Sequence, residues 1–446
     1  MKFIDSTHDL EKYLCIKIKE HNLIKSISTD TRSIVKKSMF IALRGNNFNG
    51  NDYVEEALKK GAVIALTDDK RFLNSKNKKI IYVKNTILAL GKISRNIIKE
   101  FNGKVIAVTG SNGKTTTTNI IASTLKESSS TMGNFNNEIG MPLSLINASP
   151  KSKQLVLEIG ASKSKDIDYL SKILNPHIGI ITNIGNSHLE QLKNIQGVLK
   201  VKSEIIKNIR SDGFLIVPNE KKQYLNYWKK IRTDIRILTF GINKEADFYA
   251  TNIKTKKNGT DFYIASKFLD KPILIKTNLE GTHNIKNLLV GCITNFCLNN
   301  KLDDFIKSIN SNDFQTIRQI KSKWYRGSTL IDDTYNANPD STKKSIDLLG
   351  NYKKRTTLIL GDMLELGKYK KKLHREVGEY ANAKGIDVLL GYGDLTRHTI
   401  KSFGDYGFHF ENEDDLKNYL KKNITSKDVI LIKGSRGMRM ERFINV

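Results

Sequence analysis

Seven consecutive residues carry the clearest chemistry in the chain: Gly110-Ser111-Asn112-Gly113-Lys114-Thr115-Thr116. Glycines let backbone N–H groups turn toward an anion, a lysine there reaches β- and γ-phosphates, and the hydroxyl after it can ligate Mg2+. The string follows the apolar run Val105-Ile106-Ala107-Val108 and precedes a helical stretch from Thr115 to Lys126. A loop so placed also enjoys the favourable dipole of a helix N-terminus. The general loop G-x-x-x-x-G-K-[ST] has a glycine where Val108 stands, so this is a shorter G-x-x-G-K-T form. A bare glycine turn is the bland alternative; the strand–turn–helix context and the Lys-Thr pair favour triphosphate binding.

Three residues downstream could join it. Glu158 ends the apolar run Leu155-Val156-Leu157, and His188 lies just beyond Ile178-Gly179-Ile180-Ile181. In an open parallel sheet, ligands gather outside the carboxyl ends of the strands, so both fall on the side of the glycine loop. A carboxylate and an imidazole there can hold a Mg2+ that bridges nucleotide and substrate. Lys202, in Lys200-Val201-Lys202-Ser203-Glu204, reads as a solvated lysine on a helix face, because an ammonium cannot ligate a cation.

These groups need strands to position them. Up to about residue 100, short strands (Met39–Leu43, Val63–Leu66) mix with a helix near Tyr53 to Lys60. From Gly103 the strands named above alternate with helices, the pattern of a parallel sheet covered on both faces. From about Ser311 a further set follows: Thr329–Ile331, Thr357–Leu360, Val388–Leu390 and Val429–Ile432, with a helix from Asp414 to Lys421. That is another doubly wound unit. The fold class expected is α/β in three domains: residues 1–100, 101–311 and 312–446.

Length agrees, since 446 residues exceed one ordinary core, and 39% apolar residues suffice for several. Cys15, Cys292 and Cys297 form no C-x-x-C pair, so reduced, buried or half-buried thiols in a reducing cytosol are expected. No signal-peptide core and no apolar run of about 20 residues appears, so a cytoplasmic protein without membrane insertion is expected. The net charge of +28 raises nucleic-acid binding as an option, but the lysines are scattered and form no arm or stripe. No specific nucleic-acid partner is expected, and a monomer is.

Taken together, the strings VTGSNGKTTT (from Val108), TMGNFNNEIGMPLSL (from Thr131), TNIGNSHLE (from Thr182), KSEI (from Lys202), GTHNIKN (from Gly281), IDDTYNANPDS (from Ile331), GDMLELG (from Gly361) and KGSRGMRME (from Lys433) resemble the Mur ligase family across nearly the whole chain. GNFNNEIG, YNANP and GDMLELG resemble most the member that joins D-alanyl-D-alanine to UDP-N-acetylmuramoyl-tripeptide. The resemblance implies an N-terminal UDP-binding domain, a central ATPase domain and a C-terminal Rossmann-like domain. It implies that Lys114 and its loop hold ATP, that Thr115, Glu158 and His188 hold Mg2+, and that Lys202 is carbamylated by CO2 and joins them. By the same resemblance Asn284 contacts adenine, while Arg318, Asp333 and Asn336 belong to the C-terminal face that closes over the nucleotide. Ser28, Asp30 and Arg32, with Arg44-Gly45, resemble the uridine-nucleotide region, and Asn134, Asn136 and Asn137 fall where the muramoyl-peptide is contacted.

Departures are few: Asn49-Gly50 for a common Asp-Gly, Lys165 for a frequent glycine, and Val201 for alanine. The implied chemistry is ATP-driven amide formation through an acyl phosphate in cell-wall precursor synthesis. A sister ligase adding the third peptide residue, a folylpolyglutamate-synthase-like ligase and a nucleic-acid-binding NTPase are the alternatives.

Overall fold

The computed structural model describes residues 2–45, 48–256, 259–311 and 320–445. Its strands form three sheets. The first is all parallel, in the order β1 (Ser26–Ser28), β2 (Ser38–Ile41), β3 (Ala62–Thr67), β4 (Ile80–Tyr82).

The second sheet has nine strands: β5 (Lys104–Thr109), β6 (Ser128–Ser130), β7 (Gln154–Glu158), β8 (Ile178–Ile181), β9 (Phe214–Pro218), β10 (Arg236–Gly241), β11 (Phe248–Lys256), β12 (Gly259–Ser266) and β13 (Ile273–Thr277). Their spatial order is β13-β12-β11-β10-β9-β8-β5-β7-β6. Only the β11–β12 and β12–β13 pairs are antiparallel. The pattern of β5 explains its central place. Val105 and Ala107 join one apolar cluster, while Ile106 and Val108 join another beneath the helices Lys114–Thr124 and Thr282–Cys297. A strand buried on both faces is apolar throughout, and side chains alternate between the two faces.

The third sheet runs β14 (Ile320–Lys323), β15 (Thr329–Asp333), β19 (Asp428–Lys433), β16 (Arg355–Gly361), β17 (Val388–Tyr392), β18 (Gly407–Phe410), with only β14 antiparallel. The α/β class is therefore present in each segment. The apolar runs singled out in the sequence all fall in strands: most are lengthened by one or two residues at an end, Ile178–Ile181 is unchanged, and the run Met39–Leu43 gives a strand that stops at Ile41. Strands β9 to β13 follow no pattern singled out beforehand.

Cys292 is buried, and burial pushes its thiol up to about 12; half-buried Cys297 is pushed equally far. Cys15 departs from expectation: it is exposed, in the left-handed residue that ends the first helix. Among the described residues no helix is long and apolar enough to cross a membrane.

Candidate active site

β5 delivers the glycine loop onto the helix Lys114–Thr124. Gly110 has φ +148°, and a Cβ there would collide with the Thr182 hydroxyl; Gly113 has φ +80°. Both positions require glycine. The loop is interlocked with the segment after β8. Asn112 N–H donates to Asn183 Oδ1 at 3.0 Å, and Thr182 Oγ1 and Asn183 Nδ2 donate to the Asn112 carbonyl at 2.6 and 2.9 Å. Ser111 Oγ donates to the Gly185 carbonyl and accepts from the Gly185 N–H, both at 3.0 Å. Lys114 Nζ curls back to the Gly110 carbonyl at 3.2 Å.

Glu158 ends β7 and is 1% exposed. One carboxylate oxygen accepts from Thr115 Oγ1 at 2.7 Å, the other from Asn136 Nδ2 at 2.6 Å. Asn136 is thus committed to the carboxylate. Asn137 uses its oxygen on the N–H groups of Ile139 and Gly140, and Asn134 stands exposed in the same turn.

Lys202 is where the structure overturns the solvated-lysine reading. Its side chain is fully buried and its Nζ has no hydrogen-bond partner among the described residues. Burial, with the positive charge of Lys114 added, pushes its pKa down to about 7 against the opposing pull of Glu158, Asp166 and Glu204. Glu204 does not neutralise it directly. Its carboxylate accepts from the N–H groups of Lys165 (2.9 Å) and Asp168 (3.1 Å), at the start of the helix Asp166–Leu174. Lys165 has φ +73°, a left-handed backbone that accounts for a glycine being usual there.

The C-terminal domain closes over this cluster. Asn338 caps the helix Pro339–Gly350 through its oxygen and donates from Nδ2 to Asn112 Oδ1 at 2.8 Å. Asp340 accepts from the Asn186 N–H at 2.6 Å. Glu365 places Oε2 at 2.5 Å from His188 Nδ1, off the straight line of a hydrogen bond, and the imidazole holds this carboxyl below its ordinary range. Asp333 and Lys433 form a buried ion pair at 2.6 Å, to which Ser345 Oγ adds a bond to the carboxylate, also at 2.6 Å. Lys433 Nζ also donates to the Asn336 carbonyl at 3.0 Å, and Asn336 Oδ1 accepts from the N–H groups of Ala337 and Arg436.

Two clefts result. One is lined by Asn112, Gly113, Thr116, Asn284, Asp333 and Lys433; the other by Lys114, His188, Asn336, Asn338, Glu365 and Arg436. Gly110, Ser111, Asn112, Gly113, Lys114, Thr115, Thr116, Glu158 and Lys202 therefore gather on one sheet edge, with Asn284, Asp333, Asn336 and His188 facing the same interdomain space. Arg318 lies outside the described residues. Asp340, Glu365 and Lys433 lie within the family-like strings IDDTYNANPDS, GDMLELG and KGSRGMRME, but no local pattern assigns them a site role, since their partners come from far along the chain.

The N-terminal candidates form separate patches. Arg32 and Asp30 pair bidentately at the surface, which holds the Asp30 carboxyl at about 2, and Ser28 Oγ donates to the Asp30 carbonyl at 2.8 Å. Arg44 pairs with Asp68 at 3.1 Å, and Gly45 N–H donates to the Phe48 carbonyl.

The donors around Glu158 fit a divalent cation of the Mg2+ kind. A carboxylate and a hydroxyl are hard oxygen ligands, and the orphaned Lys202 amine beside them would become a further carboxylate on carbamylation. Among the described residues the three-membered imidazole–carboxylate group is elsewhere, at His8, Glu11 and His21.

A nucleotide loop, a nine-stranded sheet and a C-terminal domain closing on both define a Mur-type ligase, and the chain belongs to the Mur ligase family. Residues 23–99 match the Mur ligase family catalytic domain, 108–294 the Mur ligase middle domain, and 315–436 the Mur ligase glutamate ligase domain. The chain is 37% identical to the UDP-N-acetylmuramoyl-tripeptide–D-alanyl-D-alanine ligase of Buchnera aphidicola subsp. Baizongia pistaciae, over 94% of this chain and 91% of that one. It is 33% identical to the ligase of the same name from Bacillus subtilis, over 95% and 93%. The crystal structure of MurF from Acinetobacter baumannii superimposes with a TM-score of 0.87 at 26% identity, covering 97% and 96%. MurF ligase from Thermotoga maritima, solved in complex with ADP, superimposes with 0.82 at 26% identity, covering 94% and 96%.

Proposed function

We propose that this chain is an ATP-dependent ligase that joins D-alanyl-D-alanine to the terminal carboxylate of UDP-N-acetylmuramoyl-tripeptide, giving the UDP-linked pentapeptide for peptidoglycan synthesis in the cytoplasm. The observation that carries this is the bond from Asn338, in the YNANP string, to Asn112 of the glycine loop at 2.8 Å, which seats the C-terminal domain on the phosphate site. Residues 1–100 would bind the UDP moiety through the Ser28–Arg32 and Arg44-Gly45 patches. Residues 101–311 would hold ATP, and residues 312–446 would close over it and receive the dipeptide.

In the first step the tripeptide carboxylate oxygen bonds to the γ-phosphorus, and the bond from that phosphorus to the β-phosphate oxygen breaks, releasing ADP. In the second the dipeptide amine attacks the acyl carbon; the C–N bond forms, the C–O bond to phosphate breaks, and the amine proton departs. A carboxylate and a triphosphate repel each other, so Lys114 and the loop N–H groups offset the charge and fix the in-line geometry. Thr115, Glu158, His188 and a carbamylated Lys202 would hold Mg2+, which supplies further charge neutralisation when bound. A buried amine with a pKa of about 7 is substantially neutral near that pH, the form that attacks CO2 with loss of one proton. Closure of the C-terminal domain keeps water from the acyl phosphate.

The test is phosphate release and product mass with ATP, D-alanyl-D-alanine and UDP-tripeptides ending in lysine or diaminopimelate, against RNA. A pentapeptide product with one of the tripeptides supports the reading. No product with either, or hydrolysis stimulated by RNA instead, overturns it.

A further inference from the structure

Glu365 belongs to neither the phosphate loop nor the buried Asp333–Lys433 pair, yet three features place it on His188. Its backbone is left-handed, at φ +61°, between Met363 (0% exposed) and Leu366 (2% exposed), so the loop is anchored on both sides while the carboxylate projects. The loop docks through the main chain as well: Glu190 N–H donates to the Glu365 carbonyl at 3.0 Å. Gly367 packs so tightly that a Cβ there would lie 2.9 Å from Glu190 Cα. Finally, the Glu365 carboxylate sits 2.5 Å from His188 Nδ1, and His188 is itself left-handed, at φ +52°. An exposed ion pair alone would count for little. A pair fixed by two left-handed residues and a main-chain bond between domains is a built contact.

We propose that Glu365 is the positioning residue for His188. By holding the Nδ1 edge of the ring it leaves Nε2 as the edge for the metal, and it does so only while the C-terminal domain is seated, so domain docking and completion of the metal site are one event. Carboxylates commonly orient metal-binding imidazoles in this way. The proposal rests on the reading of His188 as a metal ligand.

The test uses the full-length enzyme with Mn2+ and ADP, reading bound Mn2+ by electron paramagnetic resonance alongside kcat and KM for each substrate. Thermal melts confirm that each variant is folded. Glu365→Ala is expected to weaken Mn2+ binding and lower kcat by about 10–100-fold, with Glu365→Gln between it and wild type. KM for the UDP-tripeptide should stay within about twofold, because the lost interaction lies at the reacting centre. The double variant His188→Ala/Glu365→Ala should be no worse than His188→Ala, since the two act as one unit. Wild-type Mn2+ binding in Glu365→Ala, or fully multiplicative losses in the double variant, overturns the proposal while leaving His188 as a ligand. Unchanged Mn2+ binding in His188→Ala overturns the ligand assignment and the proposal together.

Discussion

The glycine loop and the Ser28–Ser33 turn, the two regions proposed to meet phosphate-bearing ligands, are built in opposite ways. Within the central domain Ser111 and Asn112 take their side-chain-mediated partners from residues 70 to 76 positions away, in the segment after β8, and Asn112 adds Asn338 from the C-terminal domain. Ser28, Asp30, Arg32 and Ser33 satisfy one another within five residues, at the surface. Donors that stabilise a transition state must be in place beforehand, because reorganising them during the reaction costs rate. A group that only holds a substrate can pair locally until the ligand arrives. The two regions should therefore fail differently when altered.

The largest effect is expected at Lys114. Lys114→Ala should lower turnover by about 10³-fold or more with an unchanged circular dichroism spectrum. Near-normal turnover would remove the contrast between the regions altogether. Lys202 comes next. Lys202→Ala should lose about 10²-fold or more in kcat, recovering in part with added formate or acetate. Lys202→Met sharpens the point through stability. The folded-state pKa of about 7 lies below the ordinary 10.5, so burial of the ammonium costs stability in full below about pH 7, and the cost fades as pH rises to 10.5. In CO2-depleted buffer the methionine variant should therefore melt higher than wild type at pH 6, with the gap closing by pH 10. A gap that widens with pH would contradict the buried-amine picture.

An effect read in stability is expected within the domain that closes the site. Asp333→Ala leaves Lys433 buried without its carboxylate and should cost about 3–5 kcal/mol in denaturant unfolding of the C-terminal domain. Adding Lys433→Met should restore most of it. If the double variant is no better than the single, the pair is not the source of the loss. The smallest effect belongs to the turn. Arg32→Ala should raise KM for the UDP-tripeptide about tenfold, as loss of one charge-assisted phosphate contact does, with kcat and melting temperature unchanged. A fall in kcat instead would mean that the turn is as preorganised as the loop.

The same contrast explains what the sequence disclosed. Gly110 to Thr116, Glu158 and the strands that carry them follow local rules: alternating burial, turn glycines, and strand ends facing one edge. Lys202 does not. Flanked by Lys200, Ser203 and Glu204 it reads as solvated, and only packing shows otherwise. Asp340 and Glu365 are legible only once the domains meet, since each reaches a partner more than 150 residues away. Strand β11 escaped because it is polar over its second half, where its side chains are exposed.

The strand order of the central sheet bears on how the protein is made. β5 leaves the ribosome first, yet its neighbours are β7 and β8, and the latter ends at Ile181. At a synthesis rate of about 5–20 residues per second, the roughly 70 residues from Thr109 to Ile181 take on the order of 4–14 s. Both edges of this apolar strand stay open until β7 emerges and one stays open until β8 does, an exposed pairing template that chaperones would have to shield during synthesis.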